Sequence, residues 1–555
     1  MQAAPERGTA QAPLFLIRYG RDLLAYILQY AAPYEKKMVD FRKSMRPKQT
    51  SMKHCRTKKS PSVKYEVRSC RLETSAKEDL MMELRFQHAP WLRRIFVAVF
   101  APLLVFTAFL VDGQSLRADT QATPDKKEAD AKKSKPAEPF AFADFTWLNG
   151  NSRAKESPLD TKVFTGEFRF DGNYVYDFNH PLDHTLSGSC ETGRTNEIQV
   201  QQLGIGGDFH YMNVRGRLMT QFGMYSEMTP RNDASPSHGQ WNLTDAYRYI
   251  SEAYGGYHFD VLNGINVDAG IFMSYVGLFS YYNYDNWAYQ PSYVSANTPW
   301  FFNGLRVQIF LSDKLKIEPW LINGWQSYGM FNSRPGFGLS AQWRPTGSLV
   351  IISNDYALGE DTLGNARRTR FHTDNSLEVK YLDQPGKFLN KAAFSVTADG
   401  GWESGGGTGG FGGSPNVPAQ YFLGFMLYQR LWFHNDLFGL TLGGGAITNP
   451  GRYLVLLPPI NGATAASGTP YFTQNPGDQF KAWDASVTFD YMPSQFLTWR
   501  VEFIHRAANV PYFVGPGGIT PPGGDTGLPG SVVPGFAPDL RKQENRINLA
   551  LLVKL

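Results

Sequence analysis

The chain has 555 residues, 14% of them aromatic and 19% charged, with 54 Gly and 35 Pro, a balance that favours many strands and turns over long amphipathic helices. Its mean hydropathy of -0.34 excludes a helical membrane protein but not a barrel, whose strands alternate apolar and polar residues and look soluble on average. The formal charge of +5 misleads, because 21 of the 55 Lys and Arg but only 10 of the 50 Asp and Glu stand before Asp119; the remainder is mildly acidic, and nucleic-acid binding loses its electrostatic basis.

Residues 1–81 are basic, hold Cys55 and Cys70, and carry one amphipathic patch, LFLIRYGRDLLAYILQYAAPY. They read as a spurious or disordered extension, with translation starting at Met81 or Met82; a cytoplasmic segment before an anchor is the alternative. Residues 82–118 have the order of a secretory signal peptide: Arg93 and Arg94, an apolar run over 95–111, then Leu116-Arg117-Ala118. A short transmembrane anchor is the competing reading. Residues 119–140, opening DTQATPDKKEADAKKSKPAEP, are too poor in apolar side chains to fold and are expected to form a flexible periplasmic linker. Cys190 has no partner in the exported part, so no internal disulfide is available there.

Residues 141–555 are expected to form the barrel, and from Thr165 onward a period-two pattern recurs in about 16 segments, most of membrane-crossing length. Examples are GEFRFDGNYVYDF, NVRGRLMTQFGMY, INVDAGIFMSY, FFNGLRVQIFL, FLTWRVEFIHR and the terminal RINLALLVKL. In the last, Ile547, Leu549, Leu551, Val553 and Leu555 form an apolar row against Arg546, Asn548 and Lys554. Short links such as MN, SDK, PTG and HND alternate with long ones such as SEMTPRNDASPSHGQWNLTDAYR and ESGGGTGGFGGSPNVPAQ. A soluble sandwich has no reason for that alternation. It predicts an all-β fold: a transmembrane antiparallel β-barrel with short periplasmic turns and long extracellular loops.

The stretches FTWLNGNSR, FTGEFRFDGNYVYDFNHP, VDAGIFMSYVGLFSYYNYDNWAYQPSYVSANTPWFFNGLRV and LSDKLKIEPWLINGWQ resemble the OmpL-like beta-barrel porin family of bacterial outer membranes. The resemblance covers roughly 145–555, with 267–325 its most specific part. It implies an outer-membrane channel and carries over no catalytic residue. The terminal strand also resembles the signal read by the barrel-assembly machinery, although such signals usually end in Phe or Trp and this chain ends in Leu555.

Placing each apolar row against lipid leaves Arg215, Arg217 and Gln221, then Arg306 and Gln308, then Lys316 and Glu318 facing the lumen. His372, Asp374, Glu378 and Lys380 follow on a later strand, and Arg500 and Glu502 near the end. On the lipid face at mid-membrane an Arg or Lys would cost about 2–4 kcal/mol, so these charges mark a polar interior. They are candidate pore-lining groups; either they pair across neighbouring strands as filler, or Arg215, Arg217 and Arg306 form a basic wall opposed by acidic groups.

The connection 276–299 is the candidate constriction loop, by fold-level analogy with porins that fold the loop after strand five inward. It contains Tyr281, Tyr282, Tyr284, Trp287, Tyr289 and Tyr293, with Asp285 its only charge. An aromatic girdle at the outer interface is the competing reading. GTGGFG at 407–412 fits a dinucleotide fingerprint but lies in a loop with no helix behind it. No paired metal-ligand spacing or nucleophile elbow occurs, so neither catalysis nor a cofactor is expected. The expectation is a porin for passive diffusion of small hydrophilic solutes, with outer-membrane lipid as its surroundings and a homotrimer as an open possibility. The alternative is a barrel serving as an adhesin or lipid-modifying enzyme.

Overall fold

The computed structural model describes residues 138–555 apart from 188–190, 231–232, 234–238, 331–333, 360–366, 452, 455–478 and 525–532. The signal segment, most of the linker and all three cysteines lie outside the described residues.

The long strands are β1 (Phe164–Asp177), β2 (Ile198–Tyr211), β3 (Val214–Thr220), β4 (Ile250–Phe259), β5 (Ile265–Met273), β6 (Phe301–Phe310), β7 (Leu315–Ile322) and β8 (Gly336–Thr346). They continue as β9 (Leu349–Leu358), β10 (Arg368–Asp383), β11 (Leu389–Gly405), β12 (Tyr421–Phe433), β13 (Phe438–Thr448), β14 (Lys481–Ser494), β15 (Leu497–Ala508) and β16 (Gln543–Lys554). Together they make a closed antiparallel barrel of 16 strands. Strand β16 returns to β1, pairing from Lys554 opposite Arg169 to Arg546 opposite Asp177. Closure matters because an open edge in hydrocarbon leaves N–H and C=O groups unpaired, at several kcal/mol each.

Alternating side chains build these strands. In β14, Trp483, Val487, Phe489 and Tyr491 are exposed while Asp484, Ser486, Thr488 and Asp490 are buried. Facing water, that polarity would be inside out; facing lipid tails it is satisfied. In β16, Leu549 points outward and is exposed, whereas Arg546, Asn548 and Leu552 point inward and are buried.

The short connections, such as 212–213, 311–314, 347–348 and 495–496, fall on one rim together with the C-terminus; the long ones fall on the other. In the short turn after β12, His434, Asn435 and Asp436 all adopt positive φ, a conformation that Asn and Asp tolerate better than most residues. One predicted segment is shorter than expected. NVRGRLMTQFGMY is a strand only to Thr220, because Gly223 at φ 100 turns the chain into a short helix, Tyr225–Met228.

Candidate functional site: a lumen crossed by a loop and a strap

Residues 274–300, between β5 and β6, fold into the barrel and bond to its inner wall. The wall supplies carboxylates for the loop's donors. Asp171 of β1 accepts from the Asn283 amide and the Tyr289 hydroxyl, both at 2.9 Å. Glu502 of β15 accepts the backbone N–H of Tyr289 at 2.6 Å and of Gln290 at 2.8 Å. Asp484 of β14 accepts from the Ser292 hydroxyl at 2.8 Å and the Tyr293 N–H at 2.9 Å. Wall arginines serve the loop's acceptors: Arg500 donates to Asn286 O at 2.6 Å, Arg430 to Trp287 O at 3.1 Å, and Arg169 pairs with Asp285 at 3.0 Å. A loop inside the barrel has little water for its backbone, so these bonds are what make its burial tolerable.

Small wall residues make room for it. A Cβ on Gly424 of β12 would stand 2.9 Å from Val294 Cγ2, inside van der Waals contact. All six aromatic side chains named from the sequence are buried, and the Tyr281 and Tyr282 hydroxyls donate to Gln221 and Glu252, each at 2.7 Å. They belong to a packed interior, not to a girdle at the outer interface.

Residues 140–155 form a strap across the rim of short turns. Phe140 N donates to Asp313 O in the turn after β6, the Trp147 indole to Gly347 O after β8, and Arg153 to Ser494 O and Leu497 O around the turn after β14. The first and last anchors are eight strands apart in a barrel of 16, so the strap crosses the mouth from one side to the other. It also meets the loop: Trp287 donates its backbone N–H to Asn149 Oδ1 at 2.8 Å and its indole N–H to Trp147 O at 3.1 Å. Within the strap, burial raises the pKa of Asp144, but donors from Lys155 and Thr146 outweigh it and hold the carboxyl well below the usual range.

The charges named from the sequence divide into two groups. Arg217 pairs with Glu167, Asp208 and Glu252 at 2.8–2.9 Å. Arg306 pairs with Asp268 at 2.8 Å beneath the rings of Tyr254 and Phe272; Arg215 reaches the same Asp268 at 3.3 Å. Lys316 meets Glu318 at 2.5 Å. Arg215, Arg217 and Arg306 therefore alternate with carboxylates and make no bare basic wall. The side chains of Arg215 and Lys316 keep 28% and 18% of their exposure.

The second group is covered. Glu502 and Asp374 are fully buried, and Arg500 and Glu378 nearly so, because the loop and the strap lie over them. Glu378 accepts the strap's Asn149 N–H at 2.9 Å, and Asp374 sits directly opposite Asp399 beside His372. Lys380 pairs with Asp383 near the rim. Missing from the sequence reading were Asp171, Arg430, Asp484, Asp490 and the strap itself. The alternation E-F-R-F-D in β1 already signals an inward row of Glu167, Arg169 and Asp171.

The family described as "Putative beta-barrel porin-2, OmpL-like" matches residues 169–526, which run from β1 into the connection after β15. The chain belongs to this porin family. It is an outer-membrane β-barrel of the porin kind, located in the bacterial outer membrane. No curated protein sequence matches it. Among solved structures, the porin is similar to OmpT of Vibrio cholerae, at 8% identity and a TM-score of 0.39 over 72% of this chain and 99% of the other. It is also similar to the outer membrane channel DcaP of Acinetobacter baumannii, at 13% identity and a TM-score of 0.39 over 71% and 96%. An anion-selective porin from Comamonas acidovorans gives 8% identity and a TM-score of 0.41 over 71% and 99%.

Proposed function

We propose that this porin is a passive channel for small hydrophilic solutes, with residues 274–300 as its constriction and its water path along the inner wall of β2 to β7. The division of the lumen carries this reading: Arg215, Arg217, Arg306, Lys316, Asp208 and Glu252 on that wall keep part of their exposure, with Asp268 and Glu318 buried between them, whereas the inward charges on β10, β14 and β15 are covered by loop and strap. Arg215, Arg217, Arg306 and Lys316 then line the path beside Glu252 and Asp208. Their mixed signs suit a hydrated route with weak preference between anions and cations. Diffusion of this kind needs neither cofactor nor energy input.

Swelling of proteoliposomes in sugars of increasing size tests it. Small sugars are expected to enter and large ones to be excluded. A folded barrel that admits none would contradict the proposal.

A further inference from the structure

Between the strap, the inward loop and the walls of β12, β14 and β15 lies a cavity lined by Arg153, Arg430, Arg500, Asp490, Trp287 and Trp432 among others. Three guanidinium groups converge on it. Asp490 serves two of them, pairing with Arg500 at 2.7 Å and Arg430 at 2.8 Å. The second carboxylate in its lining, Asp285, is already paired with Arg169 at 3.0 Å. Arg153 has no carboxylate: its two terminal nitrogens donate to backbone carbonyls and the Thr498 hydroxyl, at 2.6–2.8 Å, and its Nε is buried without an acceptor.

Positive charge in excess of its counter-charges is expensive away from bulk water, and a buried N–H without an acceptor adds to that cost. A bound anion removes both. The terminal nitrogens of Arg153 and Arg430 are already engaged, so the Arg153 Nε–H is the donor left for such an anion. The other side of the cavity is apolar, with Leu148, Met492 and the indoles of Trp287 and Trp432, whose ring centres are 5.6 Å apart.

We infer that this cavity is a binding site for a small carboxylate with a short apolar tail, whose carboxyl lies between Arg153 and Arg430 and whose tail rests on the tryptophans. This adds a ligand class to the channel reading but does not need the pore to conduct.

Saturation-transfer NMR with propionate on the detergent-folded full chain tests it. The wild type is expected to give a propionate signal that tetramethylammonium, used as a competitor, leaves unchanged. Arg153→Gln, with its heat-modifiable migration retained, should weaken binding at least tenfold. Thr146→Trp, which fills the cavity without changing its charge, should do the same and serves if the arginine variant does not fold. Binding unchanged in the folded variants, no propionate signal in the wild type, or displacement by equimolar chloride would each overturn the assignment. Failure here would leave sugar-driven swelling untouched, so the two readings fail separately.

Discussion

Glu502 accepts the backbone N–H of Tyr289 at 2.6 Å, joining the inner wall of β15 to the middle of the loop that crosses the lumen. The same carboxylate takes the next N–H, from Gln290, at 2.8 Å. Glu502→Ala removes the acceptor of both loop N–H groups, and of the Thr488 hydroxyl and Asn548 amide on the wall, and each buried donor left unpaired costs about 1–3 kcal/mol. The loop is expected to loosen while the barrel stays folded. Faster chymotrypsin cleavage between Tyr281 and Tyr293, with heat-modifiable migration retained, is the expected result.

Gly424 tests the packing of that loop from the opposite wall. In Gly424→Leu the new side chain needs the space of Val294, and the nearest obstacles are side-chain atoms and not backbone. The loop is expected to shift, and single-channel conductance to rise or become noisy. Quiet conductance equal to the wild type would show that the loop does not set the constriction.

Arg217 holds three carboxylates, Glu167, Asp208 and Glu252. Arg217→Gln removes the cation and leaves Asp208 and Glu252 on the proposed path, while Glu167 of β1 keeps Arg169. The reversal potential in a KCl gradient should move towards cation preference, and most strongly at low salt, where screening is weak.

Asp183 ties two extracellular loops together, accepting from Ile519 N and Thr520 N at 2.8 Å and from the Thr520 hydroxyl at 2.7 Å. Burial raises its pKa, but these donors outweigh it and leave the carboxyl below its ordinary value. A depressed folded pKa means that the tether contributes fully above the unfolded value of about 3.9 and is lost as pH falls through the folded one. Protease nicking between 509 and 542 should therefore stay slow through mildly acidic pH and speed up only in stronger acid. Asp183→Asn should nick faster at neutral pH.

Leu549 lies on the lipid face of the closing strand and is exposed. Leu549→Arg should cost about 2–4 kcal/mol if the residue sits near the bilayer midplane. Urea unfolding in lipid vesicles reads that loss; an unchanged midpoint would place the row outside the hydrocarbon.

The barrel was legible because its physics is local. Alternation in β14 and β16 reports two unlike surroundings, and alternating loop lengths report two unlike rims. The same alternation located Arg217, Arg306 and Glu502 on the inner face. It could not say which inward charges meet water, since that depends on where residues 274–300 and 140–155 lie in space. Glu502 and Arg217 occupy equivalent inward positions in their strands, yet one is buried under Tyr289 and the other borders the proposed path. The strap was illegible for the same reason. Its contacts to Asp313, Gly347 and Ser494 are all separated by more than 150 residues of chain, and no local pattern marks them.

Single-channel recording in a planar bilayer, comparing the purified protein with a variant whose residues 276–299 are replaced by a short Gly-Ser linker, is the most direct measurement. Stable stepwise conductance in the wild type, with larger steps in the variant, is expected of a channel narrowed by this loop. Folded barrels that conduct in neither form would contradict the channel itself, and equal steps in both would contradict the constriction.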